Sequence, residues 1–171
     1  TAIKRIKDIP NKEKANLAKK ISIGALLYFM NKVSYRKSIN LDLEKALSFE
    51  GQTGPYLQYS YVRALRILQK AKIKLSTRHV NLLDLKEEIN LIKKLYMFSE
   101  IIEKSAQSYQ PHILAEYAIE LASLFSVFYE KCSVMHVDET LGSARIYLVN
   151  AYLQVIERCL ILLGIPVVEK M

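Results

Sequence analysis

The sequence predicts an all-α fold, an antiparallel helical bundle, on three observations. Apolar residues recur at steps of three and four along successive stretches, the spacing of helices with one buried face. Only 5 Gly and 4 Pro are present, too few for a turn-rich β architecture. No stretch alternates apolar and polar residues convincingly enough to read as a strand. A chain of 171 residues can bury roughly two-thirds of its unfolded surface, enough for one good core. The hydrophobic content of 51% places it with globular chains rather than disordered ones.

Asn11 is a candidate N-cap for a first helix running to about Val33, with Leu17, Ile21, Ala25 and Tyr28 along one face. A polar connection follows from Ser34 to about Ser48 and holds the charged cluster Tyr35-Arg36-Lys37. Thr53 is the expected cap of the next helix, with Gly54 admitting an unusual backbone angle and Pro55 suiting the first turn. Its buried stripe reads Leu57, Tyr61, Leu65, Leu68 and Ala71. A loop around Ser76 to Asn81 leads to one continuous helix from about Leu85 to Ala106. Ile89, Ile92, Tyr96, Ser99 and Ile102 are its expected inward residues. Gln107 to Gln110 break that helix, and Pro111 opens another to about Lys131 with Leu114, Tyr117, Leu121, Phe125 and Phe128 on its apolar face. Asp138 is expected to cap the last long helix, which ends at Gly164 before Pro166. Mostly short connections favour antiparallel neighbours. The main boundary falls near Ser48 to Thr53, dividing a basic helical segment, residues 1–48, from the bundle proper, residues 49–171.

Charge is distributed unevenly. Lys and Arg number 25 against 17 Asp and Glu, and the whole excess of +8 sits before Leu41. Such a basic arm either attracts a polyanion, with salt-dependent association, or forms a solvated face. A second basic feature is a ridge of Arg63, Arg66, Lys70 and Lys74 at steps of three or four, opposite the apolar stripe of its helix. Three tyrosines, Tyr56, Tyr59 and Tyr61, cluster at the start of the same helix. Aromatic faces beside fixed cations suit a splayed-out single-stranded base and its phosphates; the alternative is that the rings are half-buried packing.

Catalytic and metal chemistry leaves no trace. There is no phosphate loop ending in Gly-Lys-Ser/Thr, and no Gly-x-Ser-x-Gly elbow. His79, His112 and His136 are isolated and read as surface or capping groups. The acidic pairs Glu87-Glu88 and Asp138-Glu139 read as helix-start charges favoured by the dipole. Cys132 and Cys159 lack metal-ligand spacing and read as free thiols of a cytoplasmic protein. No apolar run approaches the ~20 residues of a membrane span, and no signal segment opens the chain. A chain opening on Thr1 without an initiator Met reads as a piece of something longer.

Three stretches carry a family resemblance: Glu50-Gly51-Gln52-Thr53-Gly54-Pro55-Tyr56-Leu57-Gln58-Tyr59, Leu114-Ala115-Glu116-Tyr117 running to Phe125-Ser126-Val127-Phe128-Tyr129, and the closing Leu162-Leu163-Gly164-Ile165-Pro166-Val167-Val168-Glu169-Lys170-Met171. Their order and spacing resemble the part of arginyl-tRNA synthetases where the catalytic body hands over to the anticodon-binding helical domain. The sequence departs from that family at Lys170, where arginine is usual, and at Gln52, where asparagine is common. The literal Asp-Ala-Leu-Arg tetrapeptide that names the wider domain family is absent.

The resemblance implies a class I synthetase anticodon-binding bundle preceded by the end of a catalytic body. It implies tRNA as partner, with Tyr56, Tyr59, Tyr129 and the chain end at Met171 lining the anticodon pocket. The residues themselves leave open whether Tyr129, one position past Phe128, is core. Arg63, Arg66, Lys70 and Lys74 would contact RNA phosphates. The parent would join arginine to its tRNA with ATP and magnesium, although neither class I ATP motif (His-Ile-Gly-His type or Lys-Met-Ser-Lys-Ser type) occurs here. The expected protein is a cytoplasmic monomer without a membrane partner. Alternatives are the related domain of another class I synthetase, such as the cysteine enzyme, and a helical protein-interaction module.

Overall fold

Helix α1 (Asn11–Asn31) opens the part of the chain that the computed structural model describes, which comprises residues 11–38, 40–71, 77–134 and 137–171. It buries Ile21, Ala25 and Tyr28, as its sequence period predicts. The basic residues before Asn11, the side chain of Asn11, Lys74 and His136 lie outside the described residues. The polar connection that follows is not wholly irregular. Asp42 caps a single helical turn, α2 (Leu43–Ala46), by accepting from the Lys45 amide at 3.1 Å.

Helix α3 (Gly54–Lys70) starts where the sequence places it: Thr53 Oγ1 accepts from the Tyr56 amide at 3.2 Å, satisfying an otherwise orphan donor. The reason for its glycine is different from the one expected. Gly51, with φ 79°, takes the left-handed backbone, and Gly54 does not. Gly54 is small because α1 crosses there; a Cβ would stand 2.1 Å from the carbonyl oxygen of Gly24. Next to this crossing Gln58, fully buried, donates from Nε2 to the carbonyl oxygens of Lys20 and Pro166, at 3.2 and 2.7 Å. The expected boundary near Ser48 to Thr53 falls just before α3, and α1 on its other side packs against α3, with Tyr28 in the same core as Leu57.

The expected continuous helix from Leu85 to Ala106 is two: α4 (Lys86–Tyr96) and α5 (Phe98–Ser108), with Met97 at the break. The expected inward face is also displaced by one residue. Tyr96 is 90% exposed, Ser99 and Ile92 are exposed, and Ile89 and Ile102 are only half-buried. The buried face instead carries Glu88, Leu91 and Leu95, continued by Phe98 and Ile101. One step along a helix is a turn of about 100°, and a buried ion pair sets the phase. Glu88 receives Arg145 Nε at 2.7 Å, with both side chains almost wholly enclosed.

Helix α6 (Pro111–Lys131) packs against α4 and α5 with its expected apolar face of Leu114, Tyr117, Leu121, Phe125 and Phe128 buried. Asp138 caps α7 (Glu139–Leu162) by accepting from the amides of Thr140 and Leu141. The Phe125 and Tyr152 rings stack with centroids 3.9 Å apart, joining α6 to α7, and the Tyr152 hydroxyl pairs with Ser60 of α3 at 2.6 Å. Helix α7 stops at Leu162, two residues before Gly164 takes the left-handed backbone. The tail then runs beside α3, held by Gln58 at Pro166 and by Arg66 at Met171. No strand occurs among the described residues.

Candidate nucleic-acid interface

The outward flank of α3 and the end of α6 enclose an open groove of about 550 Å³. Its floor is apolar, with Val62 and Ile67 of α3 buried, and buried Val134 beyond α6 lines the far wall. Its rims carry Tyr59, Arg63, Arg66 and Lys70 from α3, with Tyr129 and Ser133 facing them. Positions 59, 63, 66 and 70 share one helical flank because they recur at four, three and four residues. Tyr59 is 42% exposed and Tyr129 is 38% exposed, so each ring keeps an accessible part beside an apolar floor.

The cations of the ridge are not equivalent. The Arg63 guanidinium lies 3.9 Å from the centre of the Tyr129 ring and donates from Nη1 to Ser126 Oγ at 3.2 Å. It therefore covers part of the ring while presenting its charge to the groove. Arg66 donates from Nη2 to a main-chain oxygen of Met171 at 3.0 Å. Lys70, at the end of α3, is exposed.

The three clustered tyrosines fan outward in different directions. Tyr59 lines the groove, whereas Tyr56 is half-buried against the core and is not among the lining residues. Tyr61 is buried on another side of α3 and donates to Glu157 at 3.3 Å. Burial, helped by that carboxylate, raises the Tyr61 phenol above its ordinary range. Met171 is half-buried against the core and touches the site through Arg66. The structure thus gathers Tyr59, Tyr129, Arg63, Arg66 and Lys70 around the groove, while Tyr56 and Met171 are not among its lining residues.

Sequence reasoning missed the far wall, Ser133 and Val134, and the anchor Ser126. A segment after a helix end offers no period to follow, but Ser126 stands three residues before Tyr129 and so shares its flank. Among the described residues no group of three or more His, Cys, Asp or Glu side chains is arranged to hold a metal. His79 precedes a short 3₁₀ turn at Val80–Leu82 without a side-chain capping bond, and His112 Nδ1 is buried without a protein partner. Both cysteines are free and buried; burial raises the Cys132 thiol and pushes Cys159 up to about 12, away from the reactive thiolate.

The fold and groove together define a helical bundle with an aromatic and cationic cleft on one flank. Residues 57–171 match the model of the DALR anticodon binding domain. The chain belongs to the DALR anticodon-binding domain family. It is 44% identical over 165 residues to the arginine–tRNA ligase of Clostridium beijerinckii, covering 96% of this chain and 29% of that protein. The arginine–tRNA ligase of Methanococcoides burtonii is 42% identical over 174 residues, covering 98% and 31%. Among solved structures, arginyl-tRNA synthetase of Thermus thermophilus superposes with a TM-score of 0.90 at 32% identity, over 98% of this chain and 29% of that one. These are the relatives that the stretch around Gly51 to Tyr56 leads one to expect. The chain spans under a third of the length of the curated relatives it matches.

Proposed function

We propose that this chain reads the anticodon loop of an arginine tRNA, as the anticodon-binding part of a longer arginine–tRNA ligase. The observation that carries the reading is the single groove in which two part-exposed tyrosine rings stand beside Arg63, Arg66 and Lys70 over an apolar floor. Loop bases can stack on ring faces there while the cations hold phosphates, so that rings and base edges discriminate and charges fix register. Family membership and the relatives support the same reading. Tyr56 and Met171 then contribute from behind, Tyr56 by supporting the first turn of α3 and Met171 by fixing Arg66.

The division of labour we favour places the end of a catalytic body in residues 1–48 and the reading bundle in residues 49–171. Ligation with ATP and magnesium belongs to residues outside this chain. The described residues do not fit a metal-bound nucleotide, lacking both a metal-ligand cluster and the class I ATP motifs. We place the protein in the cytoplasm as a monomer; no described helix is long and apolar enough to cross a membrane.

The test is binding of the purified chain to an arginine anticodon stem-loop and to one with a changed central base, measured at increasing salt. The expected result is tighter binding to the first, falling steeply with salt for both. Binding indifferent to the central base would overturn the assignment. A protein ligand held with no salt dependence would favour an interaction module instead. The same preparation should show no arginine-dependent ATP turnover.

A further inference from the structure

A hydrogen-bonded chain links the Glu88–Arg145 ion pair to the groove. The Leu85 amide donates to Glu88 Oε2 at 3.0 Å, and Glu88 Oε1 receives Arg145 Nε at 2.7 Å. Arg145 Nη1 in turn donates to the carbonyl oxygen of Ser133 at 2.6 Å. Glu88 is fully buried and Arg145 is 5% exposed, so neither can touch a ligand in the groove. Ser133 and Val134, beyond the end of α6, are the groove's far wall. This wall follows the end of α6 at Lys131 and is not held by a helical backbone ladder. One guanidinium thus ties it to both α7 and α4.

Burying an ion pair is not an economical way to gain stability, because desolvation offsets most of the attraction. What a planar fork provides is geometry: two donors at fixed angles that orient two acceptors at once. We infer that Arg145, held by Glu88, is a positioning residue for the groove, setting the Ser133–Val134 wall at the distance from Tyr129 that base discrimination requires. The inference rests on the anticodon-reading function proposed above, and its claim about the wall can be measured without RNA.

Arg145→Lys keeps the charge beside Glu88, but its single ammonium cannot reproduce the fork to Glu88 and Ser133. Because a buried lysine also lowers stability, Glu88→Gln with Arg145→Met serves as a second, neutral variant that leaves no unpaired charge. Two measurements are read together. The first is the ratio of affinities for the matched and changed-base stem-loops. A loss on the order of tenfold in that ratio is expected, equivalent to about 1.4 kcal/mol of discrimination. The salt slope should stay unchanged, since no phosphate contact is removed.

The second measurement is thiol labelling with a disulfide reagent under native conditions. Cys132, next to the wall, should become labelled faster, while Cys159, enclosed in the core, should stay protected. Equal acceleration at both cysteines would report general loosening and overturn the positioning role. So would full discrimination with unchanged Cys132 labelling in either variant. If the wild-type chain itself failed to discriminate the loops, the functional reading would fall, and Cys132 labelling would still decide whether Arg145 holds the wall.

Discussion

Tyr129 and Arg63 show how much one residue's environment can alter what its sequence position suggests. The spacing past Phe128 correctly leaves Tyr129 part-exposed, but nothing in the local sequence announces that a guanidinium lies against its ring. Arg63 and its partner Ser126 are 63 positions apart, a separation that helical periodicity cannot bridge. Tyr129→Ala should lower affinity for the arginine stem-loop by about 1–3 kcal/mol, the usual worth of one stacking ring. Thermal unfolding should move little, because the ring is not enclosed. A variant that melts early yet discriminates fully would assign Tyr129 to packing. Replacing Arg66 and Lys70 together with glutamate should weaken binding to matched and changed loops alike and flatten the salt dependence by about two contacts. The helical circular-dichroism signal should survive, since both side chains are exposed.

At the scale of elements, legibility followed the capping chemistry. Thr53 and Asp138 announce α3 and α7 because a side-chain oxygen immediately before a helical period can accept from an amide two or three residues on. Thr53→Ala should cost about 1 kcal/mol in denaturant unfolding. Asp138 gives a pH signature as well. Its hydrogen bonds from Thr140 and Leu141 hold the carboxyl below its ordinary range. Its contribution is thus present above the unfolded-state value of about 4 and is lost as pH falls through the lower folded one. Asp138→Asn, which caps without titrating, should show a shallower loss of melting temperature in that acid window than the wild type. The α4–α5 pair was read less well for an equally physical reason. A carboxylate at position 88 counts as polar in any periodicity, so its burial with Arg145 shifts the true face by one residue. Met97 carries no Gly or Pro signal to mark the break.

For the molecule as a whole, the all-helical class, the order of the long helices and the buried faces of α1 and α6 follow from apolar spacing, whereas Leu65 and Leu68 of the expected α3 stripe are only half-buried and the large core face of α7, from Ile146 to Leu160, is not named by it. What spacing could not supply was which surfaces meet. The crossing of α1 and α3 depends on Gly24 and Gly54, and a glycine's need for closeness looks in sequence like a need for freedom. Gly54→Ala should destabilise by about 3 kcal/mol or more, because its Cβ would meet main chain, which cannot swing aside as a side chain can. Calorimetric melting of the variant beside the wild type measures it; an unchanged midpoint would mean that the two helices separate without cost.

The same crossing has a mechanical meaning. With main chain pressed against main chain and Gln58 clamped beside it, α1 and α3 have no layer of side chains between them at that point to shear. A displacement of α3 at Tyr59 and its neighbouring cations therefore meets α1 through main chain at that crossing, without side chains between them to yield.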